Sequence, residues 1–314
     1  MSRFVALAGG VGAARFLRGL VRVVAPEDLT IVGNTGDDDE FHGLWVSPDL
    51  DTVTYTLAGA VGQGGWGLAD DTFRALSALD RYGEPTWFRL GDADLATHLH
   101  RTAQLRRGAT LSEVTGGVAR AWGLKSRLVP MSDDRVATRF EVSMAGSDDA
   151  VGLSMQEWFV RDRFEPPVKS VRFEGAGDAR PAPGVLEALA GAEAVFVCPS
   201  NPVISIGPIL AVPGIRPALA RRRERVVAVS PIIKGAAVRG PADRLMAASG
   251  LEVSCAGVAA AYADICGTLL IDGADADRAT DVAGAGVRPV VAATFMADVA
   301  GAERLGRAAL DALG

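Results

Sequence analysis

Between Asn34 and Asp51 the chain carries six carboxylates (Asp37, Asp38, Asp39, Glu40, Asp49 and Asp51) and no lysine or arginine. Carboxylates gathered without cations repel one another, so a compact arrangement points to a bound metal. An all-oxygen set suits Mg²⁺ or Ca²⁺, and Mg²⁺ commonly takes one or two carboxylates plus waters and substrate phosphates. The same run also suits a solvated acidic loop. Asp49 or Asp51 could equally cap the helix that Ser47-Pro48-Asp49-Leu50-Asp51-Thr52 opens. A second candidate is Gly9-Gly10-Val11-Gly12, which joins an apolar run to a helical pattern. A tight strand-to-helix turn of this kind can bring backbone N–H groups and the helix dipole to a phosphate, with Arg15 one turn in to neutralise it. It is not a dinucleotide fingerprint, because Arg15 stands where the third glycine belongs. No Gly-Lys-Ser/Thr follows to make a Walker loop.

Other polar residues follow later apolar runs. Pro199-Ser200-Asn201-Pro202 and Ser230-Pro231-Ile232 offer hydroxyls, an amide and free backbone for a nucleotide, or simply turn chemistry. His98 and His100, two apart on one helix, face different sides and read as structural. No Ser/His/Asp triad or Gly-x-Ser-x-Gly elbow is present, which disfavours covalent catalysis. The three cysteines, Cys198, Cys255 and Cys266, form no C-x-x-C pair and read as core packing.

The elements that must position these residues alternate between short apolar runs and helical spacing. Strands are expected at Phe4–Ala8, Leu29–Val32, Trp87–Leu90, Ala194–Cys198, Arg225–Val229, Leu251–Ser254, Thr268–Ile271 and Arg288–Ala292. Helices are expected over 184–190, 206–223 and 241–249, among others. This rhythm predicts a Rossmann-like, doubly wound α/β fold with a mainly parallel sheet. Residues 1–93 and 181–314 form its core. Residues 94–180 break the rhythm with a helix over 94–107, a capping box at Thr110-Leu111-Ser112-Glu113 and two β-like runs near 137–142 and 168–173. They read as an inserted, smaller, mainly helical subdomain. Ligands of open α/β sheets bind beyond the carboxyl ends of the strands, where the unusual loops fall.

Composition sets the bounds. The 314 residues are 49% hydrophobic and 22% charged, so the chain is not disordered, and the length suits about two domains. The net charge of −6 argues against nucleic-acid binding. No apolar run approaches the ~20 residues of a membrane span, and no secretory leader is evident, so a cytoplasmic protein is expected. The arginine-rich basic set, with lysine only at 125, 169 and 234, suits a GC-rich genome as well as an anionic site.

Gly9 to Leu17, Asn34 to Asp38 and Ser47 to Thr52 together resemble the 2-phospho-L-lactate transferase family. So do Trp66-Gly67-Leu68, Leu90 to His98, Pro130 to Asp134, Gln156 to Arg161, Pro199 to Pro202 and Val229 to Ile232. The likeness runs from residue 3 to about 264. It implies a Mg²⁺-dependent enzyme, commonly dimeric, of deazaflavin coenzyme F-420 biosynthesis. Such an enzyme moves a phospho-acid unit from a GDP-activated three-carbon acid to the ribitol hydroxyl of 8-hydroxy-5-deazariboflavin (FO) and releases GMP. The acid is of lactate, enolpyruvate or glycerate type. Carried onto this chain, the metal role falls to Asp37, with Asp49 or Asp51 as partners and Asn34 in the same loop. Gly10, Gly12 and Arg15 would meet the diphosphate, and Ser200, Asn201, Ser230 and Ile232 the guanosine side. Asp51 or a neighbour would orient or deprotonate the hydroxyl. Thr52, Trp66 and the Gly64-Gly65 turn would meet the deazaflavin ring. Lys234 departs from the family pattern and strengthens the donor site only if it faces the phosphates. A related family of non-enzymatic nucleotide-sugar-binding regulators of gluconeogenesis shares the glycine-rich start. It carries a Pro-Pro-Gly-Asp-like stretch in place of Ser47 to Thr52.

Overall fold

The computed structural model describes residues 3–143 and 150–313. Its central sheet has seven strands. These are β1 (Phe4–Ala8), β2 (Leu29–Gly33), β5 (Arg127–Pro130), β9 (Ala194–Val197), β10 (Val226–Val229), β13 (Thr268–Asp272) and β14 (Arg288–Ala292). Every pairing is parallel, in the order β14-β13-β10-β9-β1-β2-β5. Apolar residues fill both faces, as a parallel sheet covered on two sides requires. Val5 and Leu7 enter one core cluster, while Phe4, Ala6 and Ala8 enter the other. The first lies under helices α6 (Val185–Gly191), α7 (Gly207–Ala211), α8 (Ile215–Ala220), α10 (Cys255–Tyr262) and α11 (Ala279–Gly284). The second lies under α1 (Gly10–Leu20), α2 (Pro48–Leu57), α5 (Leu111–Ala121) and α12 (Val299–Asp311). Chain order reverses between β1 and β9, which places the ligand crevice of this fold between the loops that follow them.

Several elements differ from the sequence reading. Trp87–Leu90 is not a strand: Phe88 stacks on Phe41 at 3.9 Å between ring centroids, and Trp87 meets Phe41 edge-on. The sheet edge beside β2 is taken by β5. Leu251–Ser254 is irregular, and Ser254 caps α10 by accepting from Gly257 N–H at 3.1 Å. The helical pattern over 206–223 breaks into α7 and α8, because Pro213 has no N–H to donate and Gly214 is left-handed at φ 93°. A hairpin that the acidic run concealed joins β3 (Asp39–Phe41) to β4 (Leu44–Val46). Its turn is His42-Gly43, with positive φ at both residues.

Residues 94–180 hold the expected helices, α4 (Asp94–Arg106) and α5, and the capping box at Thr110 and Glu113 forms. They also supply β5 to the main sheet. Beyond it β6 (Ala137–Ser143), β7 (Ala150–Ser154) and β8 (Val168–Glu174) form a separate antiparallel sheet. The smaller part of the molecule is therefore mixed in content, since the short apolar run of β5 is buried beside β2. Its aromatic core of Phe140 and Trp158 shares a cluster with Ile204, so it leans on the crevice. The remaining elements are α3 (Arg74–Asp80), a hairpin of β11 (Ile232–Ile233) and β12 (Ala236–Ala237), and α9 (Ala242–Ala248). Among the described residues no helix is long and apolar enough to cross a membrane.

Candidate active site

A cavity of about 740 Å³ opens at the carboxyl ends of the strands, on both sides of the β1–β9 crevice. Gly10, Gly12, Arg15, Asp37, Asp49, Asp51, Thr52, Trp66, Ser200, Asn201 and Ser230 all line it. Asn34 and Ile232, both fully buried, do not. Ile232 packs into the core, because the β11–β12 hairpin turns it inward, and its N–H donates to Ser230 Oγ at 3.2 Å. Lys234 is exposed at the tip of that hairpin and does not reach the cavity.

The glycine loop is built for close approach. Gly10 has φ 72°, and a Cβ at Gly12 would run into the Pro199 carbonyl. The first N–H of α1 is already engaged: Gly10 N donates to Asp49 Oδ1 at 2.7 Å. Asn34 Nδ2 donates to Asp49 Oδ2 at 2.9 Å and to the Ile204 carbonyl at 3.3 Å. Asn34 is thus a strut across the crevice rather than a ligand-facing group. Ser200 Oγ donates to the Gly9 carbonyl at 2.8 Å, and Asn201 Oδ1 accepts from Val203 N at 2.9 Å to start the turn before α7.

The acidic run does not form one cluster. Among the described residues no group of three or more His, Cys, Asp or Glu is arranged to hold a metal. Asp39 and Glu40 lie on the hairpin, away from the cavity. Asp38 Oδ2 accepts from Ser47 Oγ at 2.6 Å and from Trp45 Nε1 at 3.2 Å, and burial pushes its pKa up to about 8. Ser47, not Asp49 or Asp51, stands at the start of α2. Asp51 is held by Arg101 from α4 in a two-pronged, buried ion pair. The cation missing from residues 34–51 therefore arrives from a distant helix. Asp37 and Asp49 remain together, both buried, both lining the cavity, and without an ion-pair cation among the described residues. Burial raises both pKa values, that of Asp49 to about 6, and the neighbouring Asp49 charge raises that of Asp37 further. Gln156 Nε2 donates to the Asp37 carbonyl at 2.9 Å and fixes the loop that carries it.

A buried network that the sequence reading missed flanks Asp51. Arg101 Nη1 lies 3.3 Å from His98 Nδ1, and His98 Nε2 lies 3.3 Å from Asp94 Oδ2. Donation by Arg101 leaves the ring proton on Nε2, facing Asp94. Tyr55 hydroxyl donates to Asp94 Oδ1 at 2.6 Å. Burial opposes ionisation of Asp94, but the His98 and Tyr55 contacts outweigh it and hold its pKa below the usual carboxylate range. Asp94, His98 and Arg101 recur at helical spacing on α4, as do Asp51 and Tyr55 on α2. That repeat was the available signal. Trp87 and Phe88, packed on Phe41 of the hairpin after β2, add apolar lining to the cavity, and Phe159 and Arg239 line it from the side of Gly240.

The fold and its crevice define a doubly wound α/β protein, an architecture that takes its ligands at the point where strand order reverses. The sequence profile of the family described as 2-phospho-L-lactate transferase CofD matches residues 4–297, and the chain belongs to that family of transferases. It is 47% identical over 311 residues to a phosphoenolpyruvate transferase of Streptomyces coelicolor, covering 98% of this chain and 97% of that one. It is 46% identical to the protein of that name from Thermobifida fusca, with 98% and 97% covered. With that from Mycobacterium sp. (strain KMS) it shares 42% over 85% of both chains. Among solved structures it is similar to a upf0052 family protein of Bacillus halodurans, with a TM-score of 0.63, 16% identity and 98% of each chain covered. A second structure of that Bacillus halodurans protein gives a TM-score of 0.62 at 16% identity. At that identity the likeness is one of fold.

Proposed function

We propose that this chain transfers a phospho-acid unit from a guanosine-diphosphate-linked three-carbon acid to the ribitol hydroxyl of FO, a step in coenzyme F-420 biosynthesis. The observation that carries the reading is the Asp37–Asp49 pair, two buried carboxylates that line the cavity beside the glycine loop. They fit a Mg²⁺ ion, which commonly takes two carboxylates and completes its shell with waters and phosphate oxygens. Bound there, the ion would offset the carboxylate repulsion and neutralise charge on the transferring phosphate. The name shared by the relatives supports phosphoenolpyruvate as the unit moved.

In the reaction the ribitol oxygen bonds to the phosphorus that carries the acid. The bond from that phosphorus to the bridging oxygen breaks, GMP leaves with that oxygen, and the hydroxyl proton is released. Such transfers depend on alignment and charge neutralisation more than on covalent chemistry. Thr52 and the apolar lining of Trp87 and Phe88 take the flat deazaflavin. Ser200, Asn201 and Ser230 take the guanosine side. Asp51, held in place by its ion pair with Arg101, accepts the ribitol hydroxyl's hydrogen bond and orients it.

The test is turnover. Purified protein with Mg²⁺, FO and each of the lactyl, enolpyruvyl and glyceryl donors should release GMP and yield a more polar deazaflavin with at least one of them. No product with any donor, alongside tight nucleotide-sugar binding, would replace this reading with that of a regulator.

A further inference from the structure

The charges around the cavity are unevenly matched. Asp51 has Arg101, and Asp94 accepts from the Tyr55 hydroxyl and faces the His98 ring. Three arginines that line the cavity, Arg15, Arg89 and Arg239, make no ion pair among the described residues; Arg89 lies over the Phe73 ring, which leaves Arg15 and Arg239. Arg15 lies in the second turn of α1. Arg239 comes from the segment between β12 and α9, and its Nη2 donates to the Gly64 carbonyl at 2.6 Å. The next residue, Gly65, lies directly on the Val11 side chain, where its φ of 82° lets the backbone press close. Val11 and Arg15 are four residues apart and share one face of α1. Arg239 is therefore held over the helical face that presents Arg15. Burial and the charge of Arg15 together hold the Arg239 guanidinium below its ordinary pKa.

Two like charges gathered in one cavity suit an anion between them. A guanidinium that spends one N–H on Gly64 keeps other donors, in a fork that matches phosphate oxygens. We propose that Arg239 joins Arg15 as a ligand for the diphosphate of the nucleotide donor. The inference rests on the donor class proposed above. It adds a binding residue from the far side of the crevice, so that the diphosphate is gripped from both α1 and the β12–α9 segment. The bond to Gly64 also lets the residue that meets the phosphates fix the loop carrying Trp66 at the cavity mouth.

Calorimetric titration of the Mg²⁺-loaded protein with GDP, inorganic pyrophosphate and guanosine tests this, comparing wild type with Arg239→Met and Arg239→Lys at one ionic strength. The Met variant should bind GDP and pyrophosphate about tenfold more weakly or worse, as loss of a charge-assisted hydrogen bond implies. Guanosine binding should be unchanged, and the Lys variant should recover part of the loss. Wild-type affinity for GDP in the Met variant overturns the assignment. Equal loss for GDP and guanosine also overturns it, because Arg239 would then act only by holding the Gly64 loop. Failure of the wild type itself to bind GDP removes the donor class and, with it, both readings.

Discussion

Replacing Arg101 with methionine isolates the interaction that takes Asp51 out of the acidic cluster. The Arg101 and Asp51 side chains are 1% and 7% exposed, so water screens neither partner. Methionine keeps much of the apolar stem volume but leaves the Asp51 carboxylate without a cation. Removing one member of a buried pair costs ~3–5 kcal/mol, because the other charge stays desolvated. The contacts from Arg101 to His98 Nδ1 at 3.3 Å and to the Trp45 carbonyl at 3.5 Å disappear with it. Arg101→Met should therefore lose ~3–5 kcal/mol of unfolding free energy in urea titrations followed by circular dichroism. The double variant Asp51→Asn/Arg101→Met leaves no unpaired charge and should recover at least ~2 kcal/mol of that loss, a coupling that a double-mutant cycle reads directly. A loss below about 1 kcal/mol in Arg101→Met, or strict additivity of the two single changes, would refute the reasoning.

Three further outcomes follow from the same geometry. Asp37→Asn removes one of two repelling buried carboxylates, so the metal-free protein should be at least as stable as wild type. Turnover at saturating Mg²⁺ should fall ~100-fold or more, read as GMP release beside a thermal melt, since a metal ligand and its charge are lost. Gly12→Ala drives a Cβ into the Pro199 carbonyl, which is backbone and cannot swing aside; the melt should drop by an amount equivalent to ~1–3 kcal/mol. Trp87→Ala opens the apolar lining of the cavity. The KM for the deazaflavin should rise about tenfold while the KM for the nucleotide donor stays put, on a stacking contribution of ~1–3 kcal/mol.

The sheet was legible because parallel strands buried on both faces read as unbroken apolar runs, as at Ala194–Val197 and Val226–Val229. Trp87–Leu90 misleads for the same reason: its apolar residues are buried by ring stacking on Phe41, which leaves no mark in periodicity. β5 hides because Arg127–Pro130 is four residues long and ends in proline. At the site, the types of residue were readable but their partners were not. Asp49 looks like a helix cap or a metal ligand in sequence, whereas its oxygens also hold Gly10 and Asn34. The formal −6 of residues 34–51 reads as one repelling cluster until α4 brings Arg101 to Asp51. Contacts fifty residues apart in sequence depend on how α2 meets α4, which local pattern does not encode.

The central claim is that one phosphorus moves from nucleotide to deazaflavin. A donor carrying isotopic label only in the phosphate nearest the three-carbon acid, incubated with Mg²⁺, FO and this protein, tests it most directly. All transferred label should appear in the deazaflavin product, with unlabelled GMP formed in equal amount. Label retained in the nucleotide, or nucleotide cleaved without label reaching the deazaflavin, would contradict the account.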